Sequence, residues 1–431
     1  MVWRQIKSYF EKYGFMRGLW RVCAKLLSPL FRPLLLASLR RVAARKPDPD
    51  GQYAGQIHAA NRETTDKPPR VAVLIIDTMI GGGANRFSAS YRKNLEEKGM
   101  AVAVAVYNIQ TRKYAIHWRD ESGDIHKTAQ NRVHLLRLIE AAAPDSIFCN
   151  NLVSWPEPLS WLSWLTRMAE TIPVRFYVHD FFCLCPTIIL LDRNLRFCGL
   201  PEDKTVCAAC LWRNLFAAPH TPASIFVWRD AWRAFLLACE TIWIPHGCTG
   251  AMVAQVYPDI RNKLLLYQKT QAVTGNSPSL PSSAPTVIAA VGTMDIHKGG
   301  AIVAELADLL RRGGEEKKMI VIGEMKVPYP SDAVFVTGRY ARDALPSLLV
   351  QYGVTLCLVP SICPESYCYV VDELMALGMP VVCFDLGAQG AKCREYPRGM
   401  AVNEISAQAC LEAIRTMETA RKEGLAAKVT A

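Results

Sequence analysis

The sequence predicts an α/β protein with two doubly wound parallel-sheet domains facing a cleft, preceded by a basic amphipathic helical extension. Short apolar runs alternate with amphipathic stretches in two successive series. A Ser/Pro/Gly-rich segment separates the two series. The formal net charge of +11 is concentrated at one end of the chain.

Residues 1–46 hold eleven Lys/Arg against one acid, Glu11, a net +10 that leaves only +1 for the rest. That distribution argues against a nucleic-acid partner, because the globular body carries no basic excess. Ile6, Phe10, Tyr13, Met16, Leu19, Trp20, Cys23, Leu26, Leu27 and Leu30 recur at three- and four-residue steps between the basic residues. Such a helix can lie on an anionic membrane face, or pack on the chain's own body or a partner. Charges interrupt every apolar run before it reaches bilayer-spanning or signal-peptide length. Most of the fifteen cysteines sit singly in apolar runs, where they act as small hydrophobes. The reading is a reducing, cytoplasmic protein, peripheral on the inner face of the cell membrane.

Residues 47–70 are polar and rich in Pro and Gly, a linker. The first domain covers 71–270. In it VAVLIID is a buried strand, GGGANRF a glycine turn and SASYRKNLEEKG a helix; AVAVAVYN, SIFCN and VRFYVHD are further strands. A Cys-rich insert occupies 183–210, and residues 271–285 form the interdomain linker. The second domain, 286–431, opens with the strand TVIAAVG and a glycine turn. It continues through AIVAELADLLRRG, KMIVIG, AVFVTG, ALPSLLVQYG and VTLCLVP to the stretch PESYCYVVDELMALGMPVVCFD. In open sheets of this kind ligands bind beyond the carboxyl ends of the strands.

Candidate site residues follow from that rule. The turn Gly81-Gly82-Gly83 lets backbone amides approach an anion closely, or simply packs a strand against a helix. Arg86 stands where a dinucleotide fingerprint needs its third glycine, and Tyr107-Asn108 end the next strand without a ribose-binding acid. NAD chemistry is therefore excluded. Lys298, between His297 and Gly299-Gly300, precedes a helix whose dipole disfavours a cation, so a diphosphate partner suits it. His179 could hydrogen-bond a sugar, and Asp180 could cap the next segment or act as a base. Cys207-x-x-Cys210, with Cys185 and Cys198 upstream, supplies four thiolates within 26 residues, enough for a structural zinc, or else free loop thiols. Trp155, Trp161, Trp164, Trp228 and Trp232 follow helical spacing and read as core, with an acceptor platform for a lipid or sugar as the alternative. Glu365 and Glu373, if joined by one helix, lie on roughly one face about 12 Å apart along its axis.

Taken in order, these blocks resemble the retaining, two-domain GT-B glycosyltransferases of group 1, also called family 4, over residues 71 to about 405. The nearest likeness is to bacterial surface-polysaccharide enzymes sharing HDFFCLCP, RFCG, CxxC, VGTMDIHKGG, FVTGRY and PESYCYVVDE. The resemblance implies that Glu365 contacts the donor sugar and Glu373 the nucleotide ribose. It implies that Lys298, with amides near Ser366-Tyr367, holds the diphosphate by the Gly292 turn. His179 would face the sugar, and the Gly81–Gly83 loop would approach the reacting centre. Two positions depart from the family pattern: Thr293 follows Gly292 where Arg is usual, and Cys368 replaces a glycine. Arg339 in VTGRY is a candidate for the second positive charge.

The expectation is a retaining hexosyl- or deoxyhexosyltransferase without a catalytic metal. It would move a sugar from a nucleoside-diphosphate sugar to a membrane-associated or lipid-linked glycan in surface polysaccharide (O-antigen or capsule-type) synthesis. A GT-B epimerase or phosphorylase, or a zinc-stapled scaffold in a polysaccharide assembly complex, are the alternatives.

Overall fold

The computed structural model describes residues 62–63, 68–120, 123–212, 214–218, 224–267, 285–314 and 317–423. The expected membrane-surface extension (1–46) and the interdomain linker (271–285), all but its last residue, lie outside the described residues.

The first sheet has nine strands: β1 (Arg62–Glu63), β2 (Val73–Thr78), β3 (Val102–Asn108), β4 (Lys113–Asp120), β5 (Gly123–Ala129), β6 (Ser146–Cys149), β7 (Val174–Tyr177), β8 (Thr241–Ile244) and β9 (Leu264–Leu266). Their spatial order is β1-β5-β4-β3-β2-β6-β7-β8-β9. All six residues of β2 are buried, as helix-covered parallel strands require. Two features depart from the expectation. Lys113–Ala129 forms a hairpin, β4–β5, that joins β3 antiparallel and makes the sheet mixed. The segment expected as linker contributes β1, which pairs parallel with β5.

The second sheet comprises β10 (Val287–Met294), β11 (Lys318–Met325), β12 (Val334–Val336), β13 (Leu356–Val359), β14 (Val381–Phe384) and β15 (Gly399–Val402). All its ladders are parallel, in the order β12-β11-β10-β13-β14-β15. This is the doubly wound order, with its reversal between β10 and β13. In the first sheet the equivalent reversal falls between β2 and β6. Both crevices are therefore fixed by topology alone.

Core packing follows the layers. Trp155, Trp161, Trp228 and Trp232 are fully buried in the first domain, as expected of a helical aromatic core. Their polar tips are used where the chain provides a carbonyl: Trp155 donates to Asp77 O at 2.7 Å and Trp228 to Phe182 O at 2.9 Å. The Cys-rich insert forms an irregular arm that leaves the first sheet after β7. Leu191 on this arm is 1% exposed and sits inside the second domain's core, with Ile189, Leu195 and Phe216 packed against the same cluster. The two domains thus share apolar contact besides the cleft. Among the described residues no helix is long and apolar enough to cross a membrane.

Candidate functional site

The two crevices are lined by polar residues at the carboxyl ends of the strands. Lys298 follows β10 and Glu365 follows β13, so they flank the reversal of the second sheet. Lys298 Nζ meets Glu365 Oε1 at 2.9 Å, with the lysine side chain 37% exposed and the glutamate 15%. The Ser361 hydroxyl donates to the same carboxylate oxygen. Burial opposes both charges, but the pair outweighs it: Glu365 is held below the ordinary carboxylate range by Lys298 and Ser361, and Lys298 is raised by Glu365.

Local chemistry makes this placement rigid. Gly299 adopts φ 76°, and a Cβ there would lie 1.9 Å from the Pro360 carbonyl oxygen. Only glycine lets the Lys298 turn lie against the β13 loop. Glu365 N donates to Gln389 Oε1 at 2.9 Å, and Glu365 O accepts from Ala388 N at 2.9 Å, so helix 387–395 grips the loop from behind.

No single helix joins Glu365 to Glu373. The helix runs Tyr369–Ala376, and Glu365 belongs to the preceding loop. Cys368 is the break, at φ 64° in the left-handed region. A glycine would take that conformation without strain, which explains why the resemblance places one there. Glu373 is buried within the helix and accepts from Arg342 Nε at 2.5 Å. Arg342 was not singled out in the sequence. Arg339, which was, pairs instead with Glu324 at 3.0 Å. Gly292 lies in β10 opposite Gly323 of β11.

Across the cleft, His179 follows β7. Its ring stacks on Tyr177 at 4.1 Å between centroids and meets Phe87 edge-on at 5.2 Å. Asn150, after β6, spends its amide nitrogen on Asp77 Oδ1 (2.7 Å) and Ala84 O (3.2 Å), leaving its oxygen to accept from His179 Nε2 at 2.7 Å. The proton of His179 is therefore on Nε2, and Nδ1 is the acceptor. Burial pushes the His179 pKa down to about 3, so the ring is neutral. Asp77, fully buried and shifted upward by burial, also accepts from Asn85 at 3.1 Å and from Thr78 N at 2.7 Å. Asp77 and Asn150 were missed; the one available signal was a charged residue ending the apolar run VAVLIID. Asp180 caps its own segment, accepting from Phe182 N and Asn151 Nδ2, both at 2.9 Å.

Ser366 ties the halves together. Its hydroxyl donates to His179 O, and its carbonyl accepts from Thr249 Oγ1 at 2.6 Å. The Gly81–Gly83 loop also reaches across, with a Cβ at Gly83 falling 2.5 Å from the Tyr369 ring. Tyr367 meets Tyr369 edge-on, 4.8 Å between ring centroids, and lies under the Lys392 ammonium at 3.4 Å. Of the residues expected to form a site, Gly83, His179, Lys298, Glu365, Ser366 and Tyr367 are linked by this chain of contacts around the cleft. Cys185, Cys198, Cys207 and Cys210 lie in the arm, all as free thiols. As placed, no three His, Cys, Asp or Glu side chains among the described residues are arranged to hold a metal ion.

The sequence pattern of the family Glycosyl transferases group 1 matches residues 285–419. Comparison with curated proteins finds no match. Among solved structures, the glycosyltransferase from Rickettsia africae ESF-5 aligns with a TM-score of 0.55 at 12% identity, covering 83% of this chain and 91% of that one. The sucrose-phosphate synthase of Thermosynechococcus elongatus aligns at 0.52 with 14% identity, covering 84% and 95%. The Anabaena protein HepE, in complex with UDP and glucose, aligns at 0.50 with 15% identity, covering 83% and 93%. The fold is the two-domain GT-B architecture, and the group 1 glycosyltransferase match lies within the second domain.

Proposed function

We propose that the protein is a retaining glycosyltransferase that uses a nucleoside-diphosphate sugar donor and a membrane-associated or lipid-linked glycan acceptor in surface polysaccharide synthesis. The observation that carries this reading is the Lys298–Glu365 pair at the second sheet's reversal, joined through Ser366 to His179 on the opposite domain.

In this reading Lys298 and the amides opening helices 300–312 and 387–395 take the diphosphate, stabilising charge as the leaving group departs. Glu365 turns from its lysine toward the sugar hydroxyls. Neutral His179 offers Nδ1 as an acceptor to a sugar hydroxyl and has no proton to give as a general acid near neutral pH. Glu373, beside Arg342, takes the ribose. Glu365, the carboxylate of the assembled set, is assigned to the sugar hydroxyls in this reading, so retention would proceed by front-face attack within an ion pair and not through a covalent intermediate. The contacts through Ser366 and Gly83 favour a closed cleft that keeps water from the donor.

Residues 1–46 would hold the enzyme at the anionic membrane face where such acceptors reside. Deleting them should release the protein from anionic vesicles, and unchanged binding would refute the anchor. For the catalytic reading, Glu365→Ala should abolish sugar transfer from UDP-, GDP- or dTDP-sugars while circular dichroism stays unchanged. Retained transfer would overturn the site.

A further inference from the structure

The Cys-rich arm carries features that the cleft does not explain. Between Tyr177 and Lys204 it contains no helix and only one isolated bridge, Leu191 with Phe197. Within it Ile188, Leu190, Leu195 and Leu200 all have positive φ, from 54° to 67°. Non-glycine residues in that region each cost roughly 1 kcal/mol or more, and they persist where surrounding structure over-determines them. Something must hold this segment to its shape.

The cysteines stand where a staple would act. Cys207 and Cys210 lie one turn apart on helix Lys204–Leu211. Charges on these thiols would act on one another: Cys185 feels Cys198 and Cys207, Cys198 feels Cys207 and Cys210, and Cys207 feels Cys210. Three of the four sulfurs already accept hydrogen bonds. Thr187 donates to Cys185 at 3.3 Å, Asn214 to Cys210 at 3.3 Å and Arg229 to Cys207 at 3.6 Å. Outer-shell donors of this kind orient metal-bound thiolates.

Arg229 supplies the independent observation. It is only 5% exposed, and its guanidinium meets Leu184 O at 3.2 Å and the Cys207 sulfur; among the described residues no carboxylate pairs with it. A buried cation without a counter-charge is strongly disfavoured. Four thiolates around a divalent ion carry a formal charge of about −2, which supplies that counter-charge.

We infer that Cys185, Cys198, Cys207 and Cys210 bind one structural zinc ion, with Arg229, Thr187 and Asn214 as its outer shell. The four thiols give up their protons as their sulfurs close onto one ion. The zinc fixes the strained arm, and the arm's Leu191 plugs the second domain's core. Phe216, just beyond, meets the His297 ring edge-on at 6.5 Å, next to Lys298. The staple therefore supports the second domain's turn from outside the cleft.

The test is metal analysis of the full chain, purified without chelator from zinc-supplemented cells. About one zinc per chain is expected, retained in Cys410→Ser and falling well below half in Cys207→Ser and Cys210→Ser. Should those variants misfold, titrating the native protein with an organomercurial should release zinc in step with the modification of four thiols. Chelation should also open the arm to protease between residues 186 and 203. Less than half an equivalent in the native protein, zinc retained by both serine variants, or a disulfide among these cysteines overturns the proposal.

Discussion

Lys298 and Glu365 form an ion pair at 2.9 Å where the second sheet's strand order reverses, one residue after β10 and the other after β13. Neither is near the other in sequence, and each holds the other's charge in a setting where burial alone would disfavour both. A diphosphate and a sugar hydroxyl can replace the two halves of this pair without leaving either charge unmatched.

The pair gives opposite expectations for its two members. Lys298→Met should weaken binding of a free nucleoside diphosphate by about 10–100-fold, the loss of roughly 1.4–2.8 kcal/mol of charge-assisted bonding. Glu365→Gln should leave that binding intact or tighter, because the ammonium is released, while sugar transfer is lost. Calorimetric titration of both variants with UDP, GDP and dTDP separates the roles.

Two arginine–glutamate pairs of the second domain differ in burial and should differ in cost. Glu373 is 6% exposed beneath Arg342, whereas Glu324 is 25% exposed beside Arg339. Arg342→Ala should destabilise by about 3 kcal/mol, because it takes a close cation away from a buried carboxylate. Arg339→Ala should cost less than about 1 kcal/mol. Urea denaturation midpoints compare them directly.

His179 should leave a signature in the pH dependence of stability. Its folded pKa, about 3, lies below the unfolded value near 6.5, so the unfolded state binds the extra proton. The stabilisation is complete above pH ~6.5 and falls as pH drops toward ~3. At pH 5 the wild type should have lost about 1–2 kcal/mol that His179→Gln does not lose. Chemical denaturation of both proteins between pH 8 and 4 measures the difference.

Gly83 tests the contact between the halves. A methyl group there would lie 2.5 Å from the Tyr369 ring, so Gly83→Ala must move the ring or part the domains. Transfer activity should fall at least tenfold while thermal stability changes little. Unchanged activity would show that the contact does not matter to closure.

Much of this was legible in the chain because parallel sheets write themselves as apolar runs: VLIID, VAVAV and VVCF are buried strands as expected. The hairpin β4–β5 was not, because His117, Arg119 and Lys127 interrupt its apolar pattern and its partners are set by register with β3. Lys298 and Glu365 were recognisable from adjoining turn residues. Arg342 and Asn150 were not, since each acquires its role from a partner distant in sequence. Cys368 marks the limit of spacing arguments: its left-handed backbone, invisible in the sequence, stops the helix before Glu365.

Isothermal titration of the wild type and Lys298→Met with UDP-, GDP- and dTDP-sugars bears most directly on the central claim, that this crevice is a nucleotide-sugar site. Saturable binding of at least one donor at one site per chain, weakened at least tenfold in the variant, is the expected result. No binding of any donor, or binding that Lys298→Met leaves unchanged, would contradict it.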